Sequence, residues 1–158
     1  MLWLLTSNQT VVSNLKAEAD KRGVDESRLI FAQHLPVNEH LKRLSHADLF
    51  LDTLPYNAHT TASDALRSGL PLITCIGESF AARVAASILH ALNLDELVTN
   101  NHGEYINLAV NLATNPNYLL QIKQKLRTEL AVSPLFDSAT YTKNIEACYV
   151  NMLQNDNV

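Results

Sequence analysis

The sequence has 158 residues and a formal net charge of −4; 47% of its residues are hydrophobic and 18% are charged. Such a chain is long enough to bury one sizeable core and too apolar for disorder to be expected. The negative charge offers no attraction to nucleic acid or an anionic membrane, and no run approaches the roughly 20 apolar residues that a membrane-spanning helix needs.

The first half of the chain alternates between short apolar runs and segments with helical spacing. The apolar runs predict β-strands at 2–5, 29–32, 49–52 and 71–75. They are continuous rather than alternating, which is typical of strands buried on both faces of a parallel sheet. The predicted helices run from Val12 to a stop at Gly23, over 37–45, and from His59 to Gly69. Repeated strand–helix units predict a doubly wound parallel sheet with right-handed crossovers.

After Gly77 the pattern predicts helices only, at 80–91, 103–114, 116–131 and 138–153. The predicted fold class is therefore α/β with a helical C-terminal tail. We expect a single lobe over residues 1–158, with strand–helix units in 1–78 and a mostly helical part in 79–158.

The loops that follow the strands are the places where parallel sheets bind ligands, and here they are 33–37, 53–59 and 76–80. His59, Thr60 and Thr61 stand where the second of these loops enters a helix. A helix N-terminus presents unpaired N–H groups to anions, and these three side chains would add further donors. Asp64 lies one turn further along the same face, where it could accept hydroxyl groups of a ribose.

The same residues also allow a purely structural interpretation. Asn57 or Thr60 could cap the helix, and Asp64 could be a solvated acid in its first turn. Spacing alone leaves both interpretations open.

Several other kinds of site are not predicted. The sequence has no G-x-G-x-x-G, P-loop or G-x-S-x-G pattern. His34, His40 and His46 recur every six residues, which is not the spacing of a helical metal pair, so we expect no metal site. Cys75 ends an apolar strand and is interpreted as a small core residue rather than a nucleophile. With only one other cysteine, the chain is expected in the reducing cytoplasm.

Four segments in order resemble one known family. They read "R-L-I-F-A-Q-H-L-P-V-N-E-H-L-K-R" at 28–43, "A-D-L-F-L-D-T-L-P-Y-N-A-H-T-T-A-S-D-A-L-R-S-G-L-P-L-I-T" at 47–74, "G-E-S-F-A-A-R-V-A-A-S-I-L" at 77–89 and "S-P-L-F-D-S-A-T-Y-T-K-N-I-E" at 133–146. The chain strongly resembles the C-terminal catalytic lobe of the O-GlcNAc transferase family, which includes the SPINDLY proteins and bacterial relatives. The resemblance runs from about Leu2 to Met152.

That resemblance implies a GT-B glycosyltransferase, with two Rossmann-like lobes and the active site between them. The C-terminal lobe would hold UDP-GlcNAc as donor substrate, and the enzyme would invert the anomeric centre with no metal or other cofactor. The expected partners are the UDP-sugar, a protein or peptide acceptor and the N-terminal catalytic lobe, with no nucleic acid and no membrane.

The family's site residues can be carried over by position. His59, Thr60 and Thr61 would hold the diphosphate, with His59 stabilising the leaving group, and Asp64 would bind the ribose. The P-x-x-E-H-x-x-R motif starts at Pro36 and would place the backbone near Leu35 and the side chains of His40 and Arg43 around the uridine.

Two features depart from the family pattern. Val37 stands where the family usually has a lysine beside the nucleotide. The sequence also shows neither an N-terminal catalytic lobe, nor tetratricopeptide repeats, nor the usual first strand of this lobe, so we expect it to be a piece of a longer protein. Three alternatives therefore stay open: a GDP-fucose-using SPINDLY-type transferase, a non-catalytic nucleotide-binding or scaffold module, and an α/β domain whose helical tail packs against a partner.

Overall fold

The computed structural model describes residues 1–6 and 8–155, and within them it contains both strands and helices in the expected alternation. The strands are β1 (Leu2–Leu5), β2 (Leu29–Ala32), β3 (Phe50–Leu51), β4 (Leu72–Cys75) and β5 (Val98–Thr99). The α-helices are α1 (Gln9–Lys21), α2 (Val37–Leu44), α3 (Thr60–Arg67), α4 (Val84–Ala91), α5 (His102–Thr114), α6 (Pro116–Val132) and α7 (Ser138–Asn155). Short 3-10 turns lie at Glu26–Arg28, Phe80–Ala82, Asp95–Leu97 and Pro134–Phe136.

The chain divides into two compact units, of which the first is Met1–Arg43. In this unit β1 and β2 pair in parallel, with α1 between them in the chain. Asn8 caps α1 by accepting a hydrogen bond from the Val11 N–H at 2.9 Å. Gly23 follows the helix with φ +68°, which confirms the predicted stop at a residue that tolerates this conformation.

The second unit begins at Leu44 and is built on a three-stranded parallel sheet in the order β3-β4-β5. All four residues of the central strand β4 are buried. Side chains from the strand and the surrounding helices form one core. Its fully or almost fully buried members are Ala62, Leu66, Leu72, Ile73, Ala85, Leu89, Leu92, Leu94, Leu97, Leu112, Ile122 and Leu126.

The structure corrects two sequence-based expectations. The region after Gly77 is not helical throughout, since β5 pairs with β4 in parallel. Burial on both faces holds for β4 but is wrong for other strands: Trp3 in β1 is 43% exposed and Leu51 in β3 is also 43% exposed. Leu51 is therefore not the centre of a core strand. Cys75 is buried at the end of β4, as expected of a small core residue.

Among the described residues, no helix combines the length and apolar character needed to cross a membrane.

Candidate functional site

The centre of the candidate site is the N-terminus of α3, which follows β3 after an eight-residue loop, 52–59. Ala62, Ala65 and Leu66 are buried and anchor one face of this helix in the core. The helix ends at Gly69, whose φ of +77° favours glycine. The buried face fixes the direction of α3, so its first turn stays at the end of the loop.

Among the described residues, no side chain caps the N-terminus of this helix. His59 occupies the N-cap position and makes no capping hydrogen bond with its side chain. Asn57 instead donates from Nδ2 to the Thr53 carbonyl at 3.0 Å, and its Oδ1 is buried without a partner in the part of the chain that the structure describes. The interpretation of Asn57 or Thr60 as a cap is therefore wrong. Ala62 and Ser63 donate their backbone N–H groups to the His59 carbonyl at 3.1 and 3.2 Å, so the backbone N–H groups of Thr60 and Thr61 are the ones left without an intrahelical acceptor.

Two hydroxyl groups and a carboxylate extend this donor-rich end. Thr60 and Thr61 are exposed, and their hydroxyls have no hydrogen-bond partner within residues 1–6 and 8–155. Asp64 is half-buried and lies three to four residues further on, so its side chain is on the same face of the helix. Thr60, Thr61 and Asp64, which the sequence predicted as part of one site, therefore lie at the same end of α3.

His59 is held between two aromatic side chains. Tyr56 stacks on its ring, with 4.9 Å between centroids and 19° between planes, and Phe80 meets it edge-on at 6.0 Å. Nε2 of His59 lies 3.4 Å from the Ala81 carbonyl oxygen. Because a carbonyl only accepts, Nε2 carries the proton in this contact. The distance is longer than an ordinary N–H···O hydrogen bond, so the ring N–H is only weakly engaged.

A pocket of about 370 Å³ opens beside these groups. It is lined by residues 50–53 and 56–61, which are the end of β3, the loop and the first turn of α3. The tip of β3, the loop and the helix end therefore enclose one concave surface with donors on its wall, as the rule for parallel sheets predicts.

The second group of predicted residues lies in the first unit. Arg43 donates from Nη1 to the Gln33 carbonyl and from Nη2 to Nδ1 of His40, both at 2.9 Å. A guanidinium only donates, so Nδ1 of His40 accepts and the ring proton is on Nε2. Arg43 thus connects α2 to the loop that follows β2 by a hydrogen bond. Leu35 lies in this loop, and its side chain is 39% exposed.

The two groups belong to different units. In the first unit, Val37 begins α2 and is 68% exposed. No set of three or more His, Cys, Asp or Glu side chains suited to a metal ion occurs in the described ranges.

Sequence reasoning missed three residues that surround the helix end. Tyr56 and Phe80 hold His59, and Asp52 is a buried acid whose hydrogen bonds close the loop. For Asp52 a signal was present, because an acidic residue directly follows the apolar run "L-F-L". The two aromatic residues give no such signal, since their contact with His59 depends on how the loops fold.

Comparison with known protein families shows the family to which this chain belongs. The family model for "Glycosyl transferase family 41" matches residues 1–145. The chain belongs to this family. It is 37% identical over 146 residues to a Caenorhabditis elegans UDP-N-acetylglucosamine--peptide N-acetylglucosaminyltransferase, covering 92% of this chain and 13% of that protein. It is 36% identical over 152 residues to the probable Arabidopsis thaliana transferase SEC, covering 96% of this chain and 16% of the relative.

A solved structure gives the same answer at the level of the fold. A Thermobaculum terrenum O-GlcNAc transferase mutant matches 98% of this chain with a TM-score of 0.91 and 30% sequence identity, and the match covers 30% of that protein. This similarity confirms the predicted fold class, a Rossmann-like α/β lobe of GT-B type with a helical C-terminal end. The chain spans 13% and 16% of the length of the two curated relatives described above.

Proposed function

We propose that this chain is the donor-binding lobe of an inverting, metal-independent protein O-glycosyltransferase that uses UDP-GlcNAc. The observation that carries the proposal is the uncapped N-terminus of α3, where exposed Thr60 and Thr61 and the weakly engaged ring of His59 lie beside one pocket. The relatives named above are UDP-GlcNAc peptide transferases, which supports the choice of donor and of a protein acceptor.

The chemistry of the proposed reaction explains why so many donors meet at one helix end. Glycosyl transfer leaves a diphosphate, whose negative charge grows as the bond to the sugar breaks. Donors fixed in place before the reaction stabilise that charge, and each contributes roughly 2.7 to 4 kcal/mol by analogy with the removal of oxyanion-hole donors. In this proposal, backbone N–H groups, Thr60, Thr61 and His59 share the role that a metal ion has in other transferases.

The nucleoside would be held by the remaining predicted residues. Asp64 has the position and chemistry to accept hydrogen bonds from the ribose hydroxyls. Leu35, His40 and Arg43 would surround the uridine, and the link from Arg43 to His40 and to the Gln33 carbonyl keeps the loop in shape for this role.

A second candidate is a nucleotide-binding module without turnover. Val37 favours it, because this exposed position lacks the lysine that the family usually places near the nucleotide. Both candidates bind UDP, so binding tests the shared site and turnover separates the two.

UDP should bind more tightly than uridine, because the diphosphate adds contacts with the N-terminus of α3. Isothermal titration calorimetry on both ligands measures this preference. Repeating the titrations with EDTA should leave both affinities unchanged, since no metal is part of the proposed site. Equal affinities for UDP and uridine would remove the diphosphate site.

His59→Ala should weaken UDP binding by roughly 1.5 to 3 kcal/mol, the range for a hydrogen bond to a charged group. Uridine binding should stay the same. The matched control is His102→Ala, since His102 is an exposed histidine in the first turn of α5, whose N-terminus is capped by the Asn101 side chain. An unchanged UDP affinity and melting temperature for His59→Ala would return His59 to a surface role.

A further inference from the structure

A buried carboxylate lies at the tip of β3, directly beneath the candidate site. Asp52 is 4% exposed. Its Oδ1 accepts hydrogen bonds from the backbone N–H groups of Thr53 at 2.8 Å and Ala58 at 2.7 Å. Its Oδ2 accepts from the Thr74 hydroxyl at 2.6 Å. All three partners are donors, so both oxygens act as acceptors, which is how a buried carboxylate is satisfied.

A second layer of hydrogen bonds lies next to this carboxylate and contacts only the backbone carbonyls of Asp52 and Thr74. The Tyr105 hydroxyl donates to the Asp52 carbonyl at 2.8 Å, and the Thr99 hydroxyl donates to the Thr74 carbonyl at 2.9 Å. Burial, followed by the electrostatic effect of the neighbouring Asp52 and Cys75 side chains, raises the pKa of Tyr105 to about 12. Tyr105 therefore keeps its proton at neutral pH and remains a donor.

The two backbone groups on Oδ1 stand at opposite ends of one loop. Thr53 is the second residue of the loop 52–59 that follows β3, and Ala58 is the last residue before His59. One oxygen atom therefore draws the two ends together. Inside the loop, the Thr53 hydroxyl donates to the Tyr56 carbonyl at 3.0 Å, which fixes the segment carrying the ring that stacks on His59.

We propose that Asp52 is a positioning residue for His59 and the first turn of α3. The inference rests on the proposed function, because its benefit lies in fixing the donors before the diphosphate arrives. A loop closed by Asp52 presents the ring of His59 and the helix end in one arrangement, so binding need not order them. Without the carboxylate, the loop samples several arrangements and the diphosphate must select one of them.

A structural role alone would have a different consequence. Loss of a buried hydrogen-bonded group lowers stability wherever it lies. A positioning role predicts in addition that the loss falls on the diphosphate part of the ligand, which the ratio of UDP to uridine affinity isolates.

The test uses three variants of the chain and calorimetry with both ligands. Asp52→Ala removes all three acceptor contacts and should reduce the preference for UDP over uridine by roughly tenfold. Asp52→Asn should restore most of that preference, because its oxygen can still accept from Thr53 and Ala58 while the Thr74 hydroxyl turns to accept from its amide. Thr99→Val removes a hydrogen bond from the second layer only and should leave the preference unchanged.

A measurement on the free protein makes the test independent of the ligand. Carbon relaxation of the His59 ring in NMR spectra reports how firmly the ring is held. Asp52→Ala should increase ring motion, whereas Asp52→Asn and Thr99→Val should not. If Asp52→Ala does not fold, Thr74→Val decides instead, since it removes one donor from the carboxylate and should raise ring motion and reduce the preference for UDP relative to Thr99→Val.

The outcomes separate this inference from the proposed function. A folded Asp52→Ala protein with the preference and ring motion of the parent overturns the positioning role. So does a loss of preference that Thr99→Val reproduces, or a Thr74→Val protein that matches Thr99→Val when Asp52→Ala is unfolded. A parent protein without preference for UDP overturns the proposed function, and the ring motion of His59 then decides alone whether Asp52 positions it.

Discussion

Leu72→Ala should lower the free energy of unfolding by about 2–5 kcal/mol, the range for removing a fully buried leucine side chain. Leu72 is 0% exposed and lies in β4, which has a strand on each side and helices around it. Such a site cannot collapse around the missing atoms, so a cavity stays. Chemical denaturation with urea, analysed for both the midpoint and the slope, measures the loss.

The matched control is Leu51→Ala in the neighbouring strand β3. The chemical change is the same, but Leu51 is 43% exposed, so we expect a loss of about 1 kcal/mol or less. Equal losses for the two variants would contradict the assignment of the core to β4. Leu72→Ala should also keep the UDP preference of the parent at temperatures where it is folded, because Leu72 does not line the pocket.

The helices of this fold follow from local sequence signals. Gly23 and Gly69 both adopt positive φ where a helix ends, which is the reason that glycine marks such stops. The apolar spacing within α5, α6 and α7 predicted their positions to within a few residues. These signals act over one or two turns, so the sequence carries them in full.

The strands were harder to predict because their burial depends on distant neighbours. β5 has two residues, too few for a period to show, and it exists because it pairs with β4. Leu51 and Ile73 are register partners, yet Leu51 is 43% exposed and Ile73 fully buried. The exposure of these two apolar residues thus depends on which distant side chains pack against each of them. The local sequence around either residue does not contain that information.

In the candidate site, too, some residues could be predicted from the local sequence and others depend on distant contacts. The predicted start of a helix after a strand, together with the family resemblance, was enough to predict one group of residues: His59, Thr60, Thr61 and Asp64. Their roles in binding stay predictions. The partners that hold the group in place come from separate segments, as Asp52 contacts Thr74 across 22 positions of the chain. Such contacts become visible only once β3 and β4 are paired.

The largest expected effect concerns turnover. The 158-residue polypeptide on its own should bind UDP but should not transfer GlcNAc to a peptide at a measurable rate. An inverting transfer needs the acceptor hydroxyl held opposite the leaving diphosphate, and such positioning supplies roughly 7 to 11 kcal/mol of the barrier. In GT-B enzymes the other lobe provides most of that surface, and this chain spans 13% of the length of its Caenorhabditis elegans relative.

Addition of an N-terminal catalytic lobe should give the reaction. A protein that joins this chain to an N-terminal catalytic lobe, or a mixture of the two pieces, should glycosylate peptides from UDP-GlcNAc, and His59→Ala in the joined protein should abolish most of the rate. Peptide glycosylation measured by mass spectrometry gives the result. Strong His59-dependent transfer by the isolated chain would contradict the proposal that the other lobe positions the acceptor. A joined protein that binds UDP yet transfers sugar from no nucleotide sugar would instead favour the nucleotide-binding module without turnover. Val37→Lys would then test whether the absence of a lysine side chain at this position is the cause.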